Sequence, residues 1–159
     1  ISSTTVLEGN SPSSAWGASM IFGELEGTKT VMVVDLPEDY SKIPEMWGQI
    51  INRIRQIHIL FFTNEALDSI SKLENTTNPS LLEKIKSKGL VPIVCTYDEN
   101  ESILNILHPS GKLSLQLQSK YPFHSWLAHF INGLSLTNLN NSEIRHAASC
   151  IENSKIPFN

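Results

Sequence analysis

Apolar positions along the chain change their period several times, and each change marks an element. Residues 4–8 are β-branched and apolar and predict a first strand, closed by the turn-forming run Gly9-Asn10-Ser11-Pro12-Ser13-Ser14. Residues 19–25 and 28–36 flank Glu26-Gly27, where glycine supplies the positive φ of a tight hairpin, so two antiparallel strands are expected. The second includes Thr30-Val31-Met32-Val33-Val34, apolar almost throughout, as in a strand covered on both faces. It is expected at the centre of the sheet. Over 45–56, Met46, Ile50, Ile51 and Ile54 recur at helical spacing behind Pro44, which suits a first helical turn.

Buried strands follow at 57–63 and 90–96, with helices at 64–73 and 80–88 between them, the second entered through Asn78-Pro79-Ser80 and left at Gly89. This alternation implies parallel strands joined by right-handed crossovers. Residues 99–107 read as a helix and His108-Pro109-Ser110-Gly111 as a turn. Over 112–118, Leu113, Leu115 and Leu117 alternate with polar residues, the mark of a half-exposed strand toward a sheet edge. Helices at 123–134 and 141–154 complete the pattern. The expectation is a single α/β domain over residues 1–159. It is a three-layer Rossmann-like sandwich with a mostly parallel central sheet and one antiparallel hairpin at its start.

Composition narrows the partners. The 159 residues are 40% hydrophobic, enough for one core of ordinary domain size. A net charge of −4 lacks the basic field that holds nucleic acid or anionic membrane, so neither is expected as a partner. No apolar run approaches the ~18 residues of a membrane-spanning helix, so no membrane insertion is expected. Ile1 stands where Met would, without a signal-peptide pattern behind it, so a processed product or excised domain with an intracellular, cytoplasmic or nuclear location is expected. Ser, Thr and Asn fill 42 positions while charged residues reach only 18%, which makes a surface more polar than ionic. Sequons at Asn75, Asn100 and Asn140 are what so much Asn, Ser and Thr produces by chance, and they do not argue for secretion. Cys95 and Cys150 are isolated thiols, expected to be reduced and structural.

Ligands of open parallel sheets settle at the carboxyl ends of strands. Those positions hold Asp35, Glu38 and Asp39, then Thr63 and Asn64, then Thr96, Asp98 and Glu99. Asp35 and Asp98 are the candidate ligands of a hard cation, although strands also end in polar residues simply because they emerge into water. No resident metal or cofactor is expected. Gly17-Ala18-Ser19-Met20-Ile21 begins like a nucleophile elbow but lacks its final glycine. His146 and Cys150 are four apart on one helix face, while His108, His124 and His129 lack zinc-site spacing. His58, between Ile57 and Ile59, reads as a hydrogen-bonded structural imidazole.

Gly23-Glu24-Leu25-Glu26-Gly27 running into Val31-Met32-Val33-Val34-Asp35-Leu36-Pro37 resembles the hairpin of the GTPase G domain, and the order of elements over 19–134 is similar to that family's. The glycine that contacts the γ-phosphate in that family is replaced by Glu38, and Thr96-Tyr97-Asp98-Glu99 stands where its guanine-reading motif belongs. Gly111-Lys112 lacks the earlier glycine of a phosphate loop, Ile106 standing there, and Leu113 replaces the magnesium-binding hydroxyl. The resemblance therefore implies a pseudo-GTPase without nucleotide. Trp47, at the edge of its helix's apolar stripe, and Tyr121 and Trp126, in the aromatic cluster with Phe123 and Phe130, are the interface candidates, with Glu38 and Asp39 biasing partner choice. Phe123, Trp126, Leu127 and Phe130 also have the spacing of a helix's core face. The expected function is a non-enzymatic protein-protein interaction module, an adaptor, assembly factor or subunit of a larger complex. The alternative is a nucleotide- or metal-dependent hydrolase with its site at the strand carboxyl ends.

Overall fold

The computed structural model describes residues 1–134 and 139–153. Its strands form one five-stranded sheet in the order β1-β2-β3-β4-β5, flanked by helices, which is the expected Rossmann-like α/β class. The chain divides into two compact units, Ile1–Cys95 and Thr96–Asn159.

In the first unit a short 3-10 helix, Ser3–Leu7, precedes α1 (Asn10–Leu25), β1 (Val31–Val34), α2 (Ile43–Asn52), β2 (Ile59–Phe62), α3 (Asn64–Leu73), α4 (Asn78–Gly89) and the start of β3 (Ile93–Asp98). β1 and β2 are parallel, Val31 facing Ile59 and Val34 facing Phe62. All four residues of β2 are buried, as a strand covered on both faces requires. β1 corrects the expected central position: it ends the strand order, Val31 and Val33 are half-buried, and beyond it the described residues place a bridge from Ser2 to Val33 with Ile1 bonded to Val31 and Val33. The strand expected at 4–8 is the 3-10 helix, its Val6 side chain buried in the unit's core.

The expected hairpin at 19–36 is also corrected, because its first arm is the last part of α1. Trp16, Met20 and Gly23 recur at helical spacing and are all buried, while Ile21, Phe22 and Leu25 point outward at 48%, 65% and 78% exposure. Outward apolar residues erase the contrast that makes a helix legible. The Arg53 guanidinium lies 5.5 Å from the Trp16 ring centroid and ties α1 to the end of α2.

His58, just before β2, behaves as the structural imidazole its spacing suggests. The Thr30 N–H donates to its Nδ1 at 3.2 Å, so neutral imidazole is the form the fold accepts. Burial first, and then the Lys29 charge, hold its pKa below the usual histidine value, with Glu24 opposing. A histidine depressed in the folded state contributes stability that is complete above about pH 6.5 and lost as pH falls from there through the folded pKa. The difference in unfolding midpoint between the wild type and His58→Gln is therefore expected to shrink from pH 7.5 toward pH 5. A difference constant over that range would remove His58 as the titrating group.

The second unit continues β3 into β4 (Ile103–His108) and β5 (Gly111–Gln116), then α5 (Phe123–Gly133) and α6 (Asn141–Ala148). The helix expected at 99–107 is instead a turn and β4. Asp98 Oδ1 accepts the N–H groups of Asn100 and Glu101 at 2.9 and 3.0 Å, which bends the chain, and Ser102 takes φ 55° before the strand begins. β4 and β5 form an antiparallel pair, His108 facing Gly111 across Pro109-Ser110, so this antiparallel hairpin lies late in the chain and not at its start. β5 ends the strand order and alternates buried Leu113 with exposed neighbours, as the period of two predicts. The final helix expected over 141–154 is α6 followed by a 3-10 turn, Cys150–Asn153; residue 154 lies outside the described residues. No described helix is long and apolar enough to cross a membrane.

Candidate functional site

The carboxyl ends of β1 and β2 bring together residues that are far apart in sequence. Asp35 follows β1, and its N–H donates to Ser3 Oγ at 2.9 Å while that hydroxyl donates back to Asp35 O at 3.1 Å. This two-way clasp fixes the backbone from which the carboxylate projects. Asp35 Oδ1 then accepts the Leu36 N–H at 2.8 Å and the Thr63 hydroxyl at 3.3 Å. Thr63 follows β2 and also N-caps α3, accepting the Ala66 N–H at 3.4 Å. One oxygen of Asp35 is thus held by two donors.

Beside this cluster opens a cleft of about 590 Å³ whose walls include Leu7, Glu8, Pro37, Glu38, Asp39 and Lys42. Its charge is mostly negative. Lys42 is the one cation in the lining, and its Nζ sits 3.3 Å from Glu45. Asp39 caps the next turn, accepting the Ser41 N–H at 3.0 Å; the Ser41 side chain first, then this backbone bond and the nearby Lys42 charge, hold its carboxyl below the usual range. Glu38 and Asp39, raised from sequence as recognition residues, are exposed and line the cleft.

The remaining candidates lie elsewhere and are tied into structure. Asp98 belongs to the second unit and caps the turn after β3, and among the described residues no three acidic, histidine or cysteine side chains gather to hold a metal ion. Glu99 accepts the first N–H of α5, from Phe123, at 2.7 Å. Trp47 is 3% exposed and donates its indole N–H to Glu74 at 2.9 Å; that bond, and then Lys84, hold the Glu74 carboxyl below its usual value. Tyr121 is half-buried, its carbonyl and N–H both bonded to the Tyr97 hydroxyl. Trp126 has no accessible surface and donates to Ala148 O at 3.0 Å. Ser19 donates to Trp16 O at 2.8 Å within its own helix. Cys95 and Cys150 are both free, and burial pushes the Cys95 thiol far above the range of a reactive thiolate.

No protein-family model and no curated protein sequence matches the chain. Solved structures do share its fold. It is similar to fructokinase from Vibrio cholerae with bound fructose, ADP and calcium, at a TM-score of 0.75 and 15% identity, covering 95% of this chain and 50% of the fructokinase. A PfkB protein from a Polaromonas species superposes with a TM-score of 0.71 at 10% identity, over 92% of this chain and 49% of that one. A nucleoside kinase from Burkholderia thailandensis gives 0.53 at 9% identity, over 83% and 42%. The chain spans about half the length of the first two relatives.

These relatives correct the expectations of function. The chain shares its fold with about half of a fructokinase and of a PfkB protein and not with a GTPase-like G domain, consistent with a helix where the G-domain hairpin was expected. The expected non-enzymatic adaptor or complex subunit falls with it, because the neighbours that share this fold are fructokinase and nucleoside kinase enzymes.

Proposed function

We propose that the chain supplies the hydroxyl-binding side of a sugar- or nucleoside-kinase-type phosphotransferase. The observation that carries this reading is the acid-walled cleft at the carboxyl end of β1. Ionised carboxylates only accept hydrogen bonds, so Glu8, Glu38 and Asp39 suit a ligand rich in hydroxyl donors. Leu7 and Leu36, half-buried in the lining, offer apolar surface for the C–H face of such a ligand. Three carboxylates against a lysine already engaged by Glu45 disfavour polyphosphate at the same place. A neutral polyol therefore fits this cleft better than the phosphates of a nucleotide. The fold likeness to a fructokinase, over 95% of this chain, supports the same class.

Fructose, ribose and adenosine, each titrated to millimolar concentration, test this by thermal shift, since a ligand binding only the native state raises the melting temperature. At least one is expected to do so, and the Glu38→Gln/Asp39→Asn pair is expected to abolish the shift while leaving the unliganded melting temperature within about 2 °C, as both side chains are exposed. No shift with any of the three, or a shift that survives the double substitution, overturns the reading. A shift produced by MgATP alone would move the site to nucleotide binding at the strand ends.

A further inference from the structure

Helix α1 carries a second apolar stripe on the side opposite its core face. Trp16, Met20 and Gly23 point inward, and at 100° per residue the opposite side presents Ala18, Ile21, Phe22 and Leu25. The three large side chains are 48%, 65% and 78% exposed and stand together at the helix's C-terminal half. Toward the N-terminal half the same stripe continues through Ser11, Ser14 and Ala15, all small and none charged. The spacing of three and four residues is that of a helix-pairing seam.

Neither end of α1 carries charges that complement its own dipole. Gly9 provides no side-chain cap and the first turn has no acid, while the last turn has no base and carries Glu24, with Glu26 just beyond. A neighbouring helix running antiparallel would set its positive N-terminal end beside this C-terminal end, where Glu24 also accepts from Gln56 at 3.0 Å. The stripe itself has the shape for it. In antiparallel register about Ala18, Phe22 lies opposite Ser14, Leu25 opposite Ser11 and Ile21 opposite Ala15, each large side chain meeting a small one.

We infer that α1 pairs two copies of this chain, antiparallel, across a twofold axis at Ala18. The contact is isologous and closes on itself, so it makes a dimer and not a filament. One helix face buries less than the roughly 800 Å² per partner of a standard interface, so the dimer is weak and concentration-dependent.

Sedimentation of the 159-residue chain is expected to show a weight-average mass rising from 17.7 kDa toward twice that value between micromolar and near-millimolar concentration. Phe22→Glu is expected to hold the monomer throughout, with unchanged circular dichroism, because Phe22 lies outside the core. In a Cys150→Ser background, Ser11→Cys alone is expected not to cross-link on oxidation, whereas Ser11→Cys mixed with Leu25→Cys forms a disulfide-linked pair. A wild type monomeric at every concentration overturns the inference and leaves the stripe to another occupant. So does a Phe22→Glu dimer, a Ser11→Cys protein that links to itself, or a mixture that does not link.

Discussion

Trp126→Ala is expected to lower stability by about 3–5 kcal/mol, the range for truncating a fully buried large aromatic. That is a large fraction of the total for a domain whose net stability is about 5–15 kcal/mol. Its ring stacks on Phe130 at 5.0 Å and 15° and meets Tyr97 at 5.7 Å, so truncation leaves a cavity bounded by two other rings. The same substitution orphans Ala148 O, which accepts the indole N–H at 3.0 Å in a buried setting. Trp126→Phe retains an aromatic ring against Phe130 while losing the hydrogen bond and leaving only a small cavity, and is expected to cost about 1–3 kcal/mol. Urea unfolding read by circular dichroism measures both. An alanine variant within about 1 kcal/mol of wild type would mean that the ring does not hold this core together.

The burial of Trp126 shows how sequence spacing can be legible yet ambiguous. Phe123, Trp126, Leu127 and Phe130 have helix-face spacing whether the face meets a partner or its own unit, and only the position of α6 settles which. β5 and helices α2 to α5 were readable because their periods contrast apolar with polar positions, and β2 because it is a short, continuously apolar run. The errors share the opposite cause. In α1 the outward face is as apolar as the inward one, so no period survives. In residues 99–107 the spacing of Ile103, Leu104, Ile106 and Leu107 fits a helix turn, but a cap by Asp98 and a long-range register with β5 make a strand. Gly89 was legible as a helix end, yet Leu90 takes the left-handed φ of 58°, and a Cβ on Gly89 would lie 3.0 Å from Ile54.

The site was half legible. Asp35, Glu38, Asp39 and Thr63 follow from the rule that ligands gather at strand carboxyl ends. Ser3, which clasps the Asp35 backbone from 32 residues away, gave no signal, because its role depends on where the first 3-10 helix comes to rest. The fold likeness was equally out of reach of pattern reading. At 15% identity the shared architecture resides in burial periodicity, which many α/β proteins have in common.

Two glycines with similar-looking clashes are expected to respond in opposite ways to alanine, and the difference is whether the neighbour can move. At Gly17 a Cβ would lie 2.8 Å from an Arg53 guanidinium nitrogen. That is the tip of a long side chain, which can retreat at the cost of its contact with Trp16, about 0.5–1 kcal/mol. Alanine regains about 1 kcal/mol of helix propensity, so Gly17→Ala is expected to be close to neutral. At Gly133 the Cβ would fall 2.3 Å from Cys150 Sγ and 3.2 Å from Ala147 Cα, in the close approach of α5 to α6. A short side chain and a backbone atom cannot both step back without parting the helices. Gly133→Ala is therefore expected to destabilise by about 1–3 kcal/mol, as overpacking does. Adding Cys150→Ala removes the sulfur and leaves Cβ at 3.3 Å as the nearest atom of that residue, so the double variant is expected to recover much of the loss. Denaturant unfolding of the four proteins of that cycle gives the coupling directly. Zero coupling would mean that the packing of α5 on α6 does not depend on the missing methyl, and a Gly17→Ala protein as damaged as Gly133→Ala would mean that Arg53 cannot retreat.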